Sequence, residues 1–348
     1  MKCWNLSKPF VLSKNTTVYL QGGAKRLLIK SYTCLCFLAI VAPLLHASDE
    51  PQFSPYRGGE NYAGTLLTYK SESSKVHALV ATPLMQSDNP YPIIIANHGF
   101  HPDPPNYGVS ADGSDWRPGD YYRSIPSAFA EHGFIVVMPD YRGHNKSEGS
   151  DVVNLALAST KYSEDVVALV PHLADIPHAD SSRIYMWGHS MGGDVTLRAL
   201  QQTDQIKAAS IWSTVGDEQW EQMYYYSRKP MTLDTHLPVD GEQMAQLRKE
   251  LSTSPWRSLE PILNIEKIST PLNLHHALGD TGALYAWSRR IASRLAYLDK
   301  PHTFYTYAGS DHLFRGDQFR LAIERDVALF SQLVSSFDDA VSAETNPK

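Results

Sequence analysis

Arg183-Ile184-Tyr185-Met186-Trp187-Gly188-His189-Ser190-Met191-Gly192-Gly193 is the stretch that decides how this chain is read. A short, mostly apolar run suited to a buried strand leads into Gly-His-Ser-Met-Gly, and Met191 to Gln202 has helical composition. A strand, a sharp turn and a helix lift a serine onto an exposed, strained elbow from which its hydroxyl can attack a carbonyl. Glycines at 188 and 192 suit that turn, because side chains there would crowd the strand against the helix. The free N–H groups at the helix start can stabilise a developing oxyanion. A Gly-rich turn with an idle serine would not need this setting, so Ser190 is the expected nucleophile.

Working outward, the chain alternates apolar runs with helical patterns. Pro92–Asn97, with its Ile93-Ile94-Ile95 core, and Phe134–Met138 are continuously apolar and read as buried strands. Strands are also expected at Thr65–Tyr69, Val76–Thr82, Ala208–Trp212, Leu272–Ala277 and Thr303–Tyr307. Helices are expected at Ile125–His132, closed by Gly133, at Ser163–Ala174 despite Pro171, at Ala283–Tyr297 and at Phe319–Phe337. Asp49–Glu60 reads as a connecting arm and Phe100 to Tyr121 as a long polar loop. Such alternation predicts an α/β domain with a mostly parallel sheet, helices on both faces, and an active site at the carboxyl ends of the strands. Ser213 to Ile265 breaks the pattern and holds Trp220, Tyr224-Tyr225-Tyr226, Pro230 and Trp256. It reads as a helical cap insertion over the site, against the plainer reading of a surface excursion.

A serine hydroxyl needs a base, and the base needs an orienting acid; in this kind of fold they follow the serine in the order acid, then histidine. Asp280 lies just past the expected strand ending at Ala277, and His312 just past the one ending at Tyr307. His275 and His276 sit on a strand, where at least one should face the core; Asp311 is suited to satisfying loop backbone, and Asp317 is too close to the last helix. The oxyanion hole is assigned to the N–H groups of Met191, next to the nucleophile, and Phe100, after Gly99 in the loop leaving the Ile93–Asn97 strand. Asp103, Asp112, Asp115 and Asp120 lack EF-hand spacing, and neither zinc spacing nor a phosphate loop is present, so no metal or cofactor is expected.

The chain has 348 residues, enough for one large domain or two small ones, and an ordinary globular composition, 43% hydrophobic and 20% charged. Residues 1–47 differ: they hold six basic residues, no acid, and all three cysteines (Cys3, Cys34, Cys36). With the apolar stretch Leu35–Leu45 and Leu45-His46-Ala47 before Ser48, they read as a secretory signal peptide, leaving a 48–348 domain. The stretch is short for a membrane span, so cleavage and export to the periplasm or exterior are expected, with an uncleaved anchor as the alternative. Removing six of 31 basic residues leaves 25 against 37 acids, a net of −12. That disfavours nucleic acid and anionic membrane surfaces as partners.

Asn97-His98-Gly99, Pro139-Asp140-Tyr141-Arg142-Gly143-His144, Asp180 to Ile184, Gly188 to Gly193, Leu278-Gly279-Asp280 and Gly309 to His312 together resemble an α/β-hydrolase. The resemblance is to the catalytic domain of the prolyl-oligopeptidase and dienelactone-hydrolase-like group. It implies that Tyr141-Arg142-Gly143 lines or braces the site. Oligopeptidases of that group resemble a hydrolase domain joined to a β-propeller, whose repeated blades need about 40–50 residues each. Only about 45 residues separate Ala47 from the first central strand. The expected function is therefore hydrolysis of a carboxylic ester or related acyl bond, with a small-molecule ester as partner. A peptidase acting on short peptides and a non-catalytic hydrolase-like binding protein are the alternatives.

Overall fold

The computed structural model describes residues 50–101, 104, 120–150, 158–228, 240–253, 257–258, 260–309 and 311–345. The expected leader with its cysteines, and Asp103, Asp112, Asp115, Trp116, Pro230 and Trp256, lie outside them. Strands β1 (Gln52–Tyr56), β2 (Tyr62–Ser71) and β3 (Ser74–Pro83) form an antiparallel meander. The expected arm over Asp49–Glu60 thus contains a strand, with Gln52 to Tyr56 pairing Thr68 to Gly64. Pro55 disguised it. Proline cannot donate to a ladder, and here it sits on the sheet edge, where its missing N–H costs nothing.

The remaining strands are β4 (Tyr91–Asn97), β5 (Ile135–Pro139), β6 (Ala179–His189), β7 (Ile206–Trp212), β8 (Leu272–Ala277) and β9 (His302–Tyr307). The helices are α1 (Ser124–Ala130), α2 (Ala158–Leu169), α3 (Met191–Leu200), α4 (Gln219–Arg228), α5 (Gly241–Ser252), α6 (Tyr285–Tyr297) and α7 (Asp317–Thr345). The sheet order among the described residues is β1-β2-β3-β5-β4-β6-β7-β8-β9. From β5 onward every pair is parallel, while β3 joins β5 antiparallel. Successive side chains on a strand point to opposite faces. Ile93, Ile95, Val137 and Met186 therefore pack with Leu169, Val195 and Trp287, under α2, α3 and α6. Ile94, Ala96, Val136, Tyr185 and Trp187 pack on the other face with Phe129 and Phe330, under α1 and α7.

The helix expected over Ser163–Ala174 differs in outline. The α-helix begins at Ala158 and ends at Leu169, and Val170–Asp175 continues as a 3-10 helix. Pro171 is the cause: it lacks the N–H an α-helix interior uses, and its ring clashes with the preceding turn. Because β4, β6, β8 and β9 run parallel, their carboxyl ends share one edge of the sheet. The segments beginning at His98, Ser190, Leu278 and Ala308 all leave from that edge.

Candidate active site

The elbow is strained as its sequence requires. Ser190 adopts φ 57°, ψ −121°, a region that costs a residue with a side chain on the order of 1–3 kcal/mol. The fold around it holds it there. Ser190 N–H donates to Trp212 O at 2.9 Å, and Ser190 O accepts from Gly193 N–H at 3.0 Å. Asn97 Nδ2 donates to Thr196 Oγ1 at 2.8 Å, and that hydroxyl donates to Gly192 O at 2.8 Å, tying β4 to α3. A Cβ on Gly192 would overlap the Asn97 carbonyl, so only glycine lets helix and strand approach this closely.

Asp280 and His312 meet. His312 Nδ1 lies 2.9 Å from Asp280 Oδ2, and the Asp280 side chain has no exposed surface. The other oxygen, Oδ1, accepts from Gly282 N–H at 2.7 Å and Ala283 N–H at 2.9 Å. Burial works to raise the Asp280 pKa, but the His312 hydrogen bond and charge and the Ala283 N–H outweigh it and hold the carboxyl at about 2. A Cβ on Gly282 would run into the His312 ring, so this backbone lies flat against the imidazole. Ser190's neighbour His189 places its ring 4.5 Å from the His312 ring, which brings the elbow to the Asp280–His312 pair.

The other histidines are committed elsewhere. His275 Nε2 lies 2.9 Å from Asp326 Oδ1 and Nδ1 lies 2.6 Å from Tyr307 Oη, which docks α7 onto the sheet. His276 Nε2 stands 3.6 Å from Asp280 Oδ2, beyond hydrogen-bonding range, and burial lowers its pKa to about 4. Asp311 Oδ1 accepts from Leu313 N–H at 2.9 Å, a loop role, and Asp317 opens α7 beside Arg320. Among the described residues no group of His, Cys, Asp and Glu could hold a metal ion.

On the proposed oxyanion side, Gly99 approaches the elbow so closely that a Cβ on it would stand 3.2 Å from Ser190 Cβ. Its N–H is engaged, donating to Tyr122 Oη at 2.8 Å. The next residue along, Phe100, is exposed. Met191 is the first residue of α3, where an N–H has no acceptor within its own helix. Tyr141 is buried, with its O–H donating to His98 O at 3.2 Å. Arg142 is buried against Asp165, with Nε and Nη2 reaching the carboxylate at 2.6–3.1 Å. These two residues brace the loop after β4 and the body of α2.

The Ser213–Ile265 segment is fastened to the acid loop. Tyr225 O–H donates to Thr281 O at 2.9 Å and Tyr226 O–H to Gly282 O at 2.9 Å. Arg290 on α6 pairs with Asp217 and Glu221. Burial pushes Asp217 up to about 6 against the pull of Arg290. Two residues escaped the reading of the sequence. His189 was visible only as the variable position of Gly-x-Ser-x-Gly, and Tyr122 follows a loop whose pattern carries no signal. Both are buried beside the elbow and joined at 2.7 Å.

A family model described as "Peptidase_S9: Prolyl oligopeptidase family" matches residues 120–335. "Uncharacterized peptidase YtmA" of Bacillus subtilis is 26% identical over 187 residues, which is 53% of this chain and 67% of that protein. The dipeptidyl peptidase 4 of Porphyromonas gingivalis superposes with a TM-score of 0.58 at 18% identity, over 78% of this chain and 36% of that one. Acetyl Xylan Esterase 1 from Thermoanaerobacterium sp. JW/SL YS485 superposes with a TM-score of 0.55 at 15% identity, over 81% of this chain and 88% of that one. The match thus spans about a third of the dipeptidyl peptidase and most of the esterase.

Proposed function

Because the chain belongs to the prolyl oligopeptidase family and is a serine hydrolase with the α/β-hydrolase fold, we propose that it cleaves a carboxylic ester through an acyl-enzyme on Ser190. The observation that carries this reading is the 2.9 Å Asp280–His312 pair brought to a strained serine elbow. In this reading Ser190 Oγ attacks the carbonyl carbon and His312 takes its proton. The tetrahedral oxyanion accepts from the N–H groups of Met191 and Phe100. As the intermediate collapses, His312 gives the proton to the departing alkoxide, and water deacylates the enzyme by the same path. Asp280 holds the imidazole tautomer and stabilises its cation. In this reading the described part of residues 213–265 serves as a cap bounding the acyl pocket.

A second reading, a peptidase acting on short peptides, is favoured by the family match and by the peptidases among its relatives. The two are ordered by leaving group. An alkoxide departs more readily than an amide nitrogen, so a triad that cleaves peptides also cleaves simple esters. The test is purified protein assayed against p-nitrophenyl esters of graded chain length and peptide p-nitroanilides, alongside Ser190→Ala. Ester turnover that exceeds anilide turnover in kcat/KM and is lost in that variant supports the proposal; anilide turnover that exceeds ester turnover replaces it with the peptidase. Absence of both, with no fluorophosphonate labelling, would leave a binding protein. Export with cleavage after Ala47 is proposed from the basic, acid-free leader; protein from the cell envelope should begin at Ser48.

A further inference from the structure

His189, inside the Gly-x-Ser-x-Gly motif, bonds in two directions. Its Nε2 lies 2.7 Å from the His312 carbonyl oxygen, and its Nδ1 lies 2.7 Å from Tyr122 Oη. Tyr122 Oη in turn lies 2.8 Å from Gly99 N. Chemistry sets the direction of every link. A carbonyl oxygen can only accept, so Nε2 carries a hydrogen. Burial, followed by the neighbouring His312 charge, holds the His189 pKa well below the ordinary histidine value, so the ring is neutral and Nδ1 is an acceptor. Tyr122 O–H therefore donates to Nδ1, and its oxygen accepts from the Gly99 N–H. The result is one directed chain: Gly99 N–H to Tyr122, Tyr122 O–H to His189, His189 Nε2–H to the His312 carbonyl. The ring is held by packing as well, stacked on Trp187 at 6.3 Å and tilted on His312 at 4.5 Å.

We propose that His189 is a positioning residue that couples the loop carrying the oxyanion donor to the loop carrying the base, through this hydrogen-bond chain. The proposal rests on the reading of His312 as base and Phe100 as donor. His312 is then fixed at two points, its ring by Asp280 and its backbone by His189, leaving Nε2 as the nitrogen that handles the proton. Gly99 is fixed by Tyr122, so the Phe100 N–H after it is set relative to the same histidine. The two halves of the acyl-transfer machinery come from loops more than 200 residues apart in the chain. The residue next to the nucleophile keeps them in register.

The test uses the full chain and a short p-nitrophenyl ester. His189→Leu removes both polar ends at similar volume, His189→Gln keeps one donor and one acceptor, and Tyr122→Phe removes the hydroxyl but keeps the ring. Misplacing a reacting group by about an ångström can cost about 100-fold in rate. His189→Leu is thus expected to lower kcat by about 10- to 100-fold with KM little changed, and His189→Gln to recover most of the loss. Tyr122→Phe should lower kcat as well, and the double variant His189→Leu/Tyr122→Phe should lose much less than the product of the two, because both break one chain. The downfield proton resonance of His312 Nδ1–H should shift in His189→Leu. Equal kcat in the Leu and Gln variants, or multiplicative losses in the double variant, overturns the proposal. If His189→Leu does not fold, Tyr122→Phe decides: wild-type kcat and an unmoved resonance sink the coupling. Turnover that survives Ser190→Ala would bring down the catalytic reading instead, and the coupling with it. Normal dependence on Ser190 with an indifferent His189 brings down the coupling alone.

Discussion

At the scale of single residues, two opposing effects settle the charge of the site. Burial works against ionising Asp280, and the His312 bond together with backbone N–H groups reverses that and holds its pKa near 2. A carboxyl whose folded pKa lies below its unfolded value adds stability above the unfolded pKa and loses it as pH falls through the folded one. The stability difference between wild type and Asp280→Asn should therefore be full above about pH 4 and shrink toward pH 2, as read by denaturant unfolding. At neutral pH Asp280→Asn should stay folded but lose kcat, since the amide cannot fix the tautomer or stabilise the cation. His312→Ala should cut kcat by about four to six orders of magnitude. Near-normal turnover in either variant would remove that residue from the triad. That Asp280 and His312 come together was legible in the sequence, because each follows a strand in the required order. His189 was not, because a variable motif position says nothing about where its ring nitrogens point.

At the scale of elements, the loops of the site are braced by groups buried between strands and helices. Arg142, after β5, holds Asp165 on α2 with neither side chain appreciably exposed. Arg142→Ala would strand a buried carboxylate, and removing one partner of such a pair costs about 3–5 kcal/mol, measurable as a lower denaturation midpoint. An unchanged midpoint would mean that Asp165 is satisfied some other way. Glu260 is a second buried acid, at the start of the 3-10 helix Pro261–Lys267, and burial raises its pKa to about 7. The sign is opposite to that of Asp280. Its stabilising share is present below the unfolded pKa and is lost as pH rises through about 7. Glu260→Gln should raise Tm relative to wild type at pH 8 and change it little at pH 4. A Tm gain independent of pH would exclude titration of Glu260 as the cause. The fastening of α4 is also testable: Tyr225→Phe/Tyr226→Phe removes the bonds to Thr281 and Gly282 and should alter KM or acyl-chain preference more than the labelling of Ser190. The break in the strand–helix alternation suggested a cap here, but could not say that two hydroxyls grip the backbone beside Asp280.

At the scale of the whole molecule, the parallel sheet turns scattered loops into one site. Residues 98–100, 190, 280 and 312 lie far apart in sequence, but each follows a strand that ends on the same edge. The fold is common to an esterase and to peptidases, so the substrate is decided by what reaches that edge. Short ester hydrolysis is expected to exceed peptide anilide hydrolysis in kcat/KM, measured with one enzyme preparation and one buffer. The reverse ranking would make the peptidase reading primary.

By itself the sequence determined what depends on near neighbours. Continuous apolar runs mark the central strands, glycines mark the elbow, and the order serine, acid, histidine marks the loops where a triad can assemble. Tertiary structure alone decided what depends on distant neighbours. It placed β5 between β3 and β4 and made Gln52–Tyr56 an edge strand. It also joined Gly99, Tyr122, His189 and His312 into one chain of hydrogen bonds. The reason is physical: strand propensity and turn chemistry act over a few residues, whereas pairing partners and hydrogen-bond directions are set by groups that meet only once the sheet has closed.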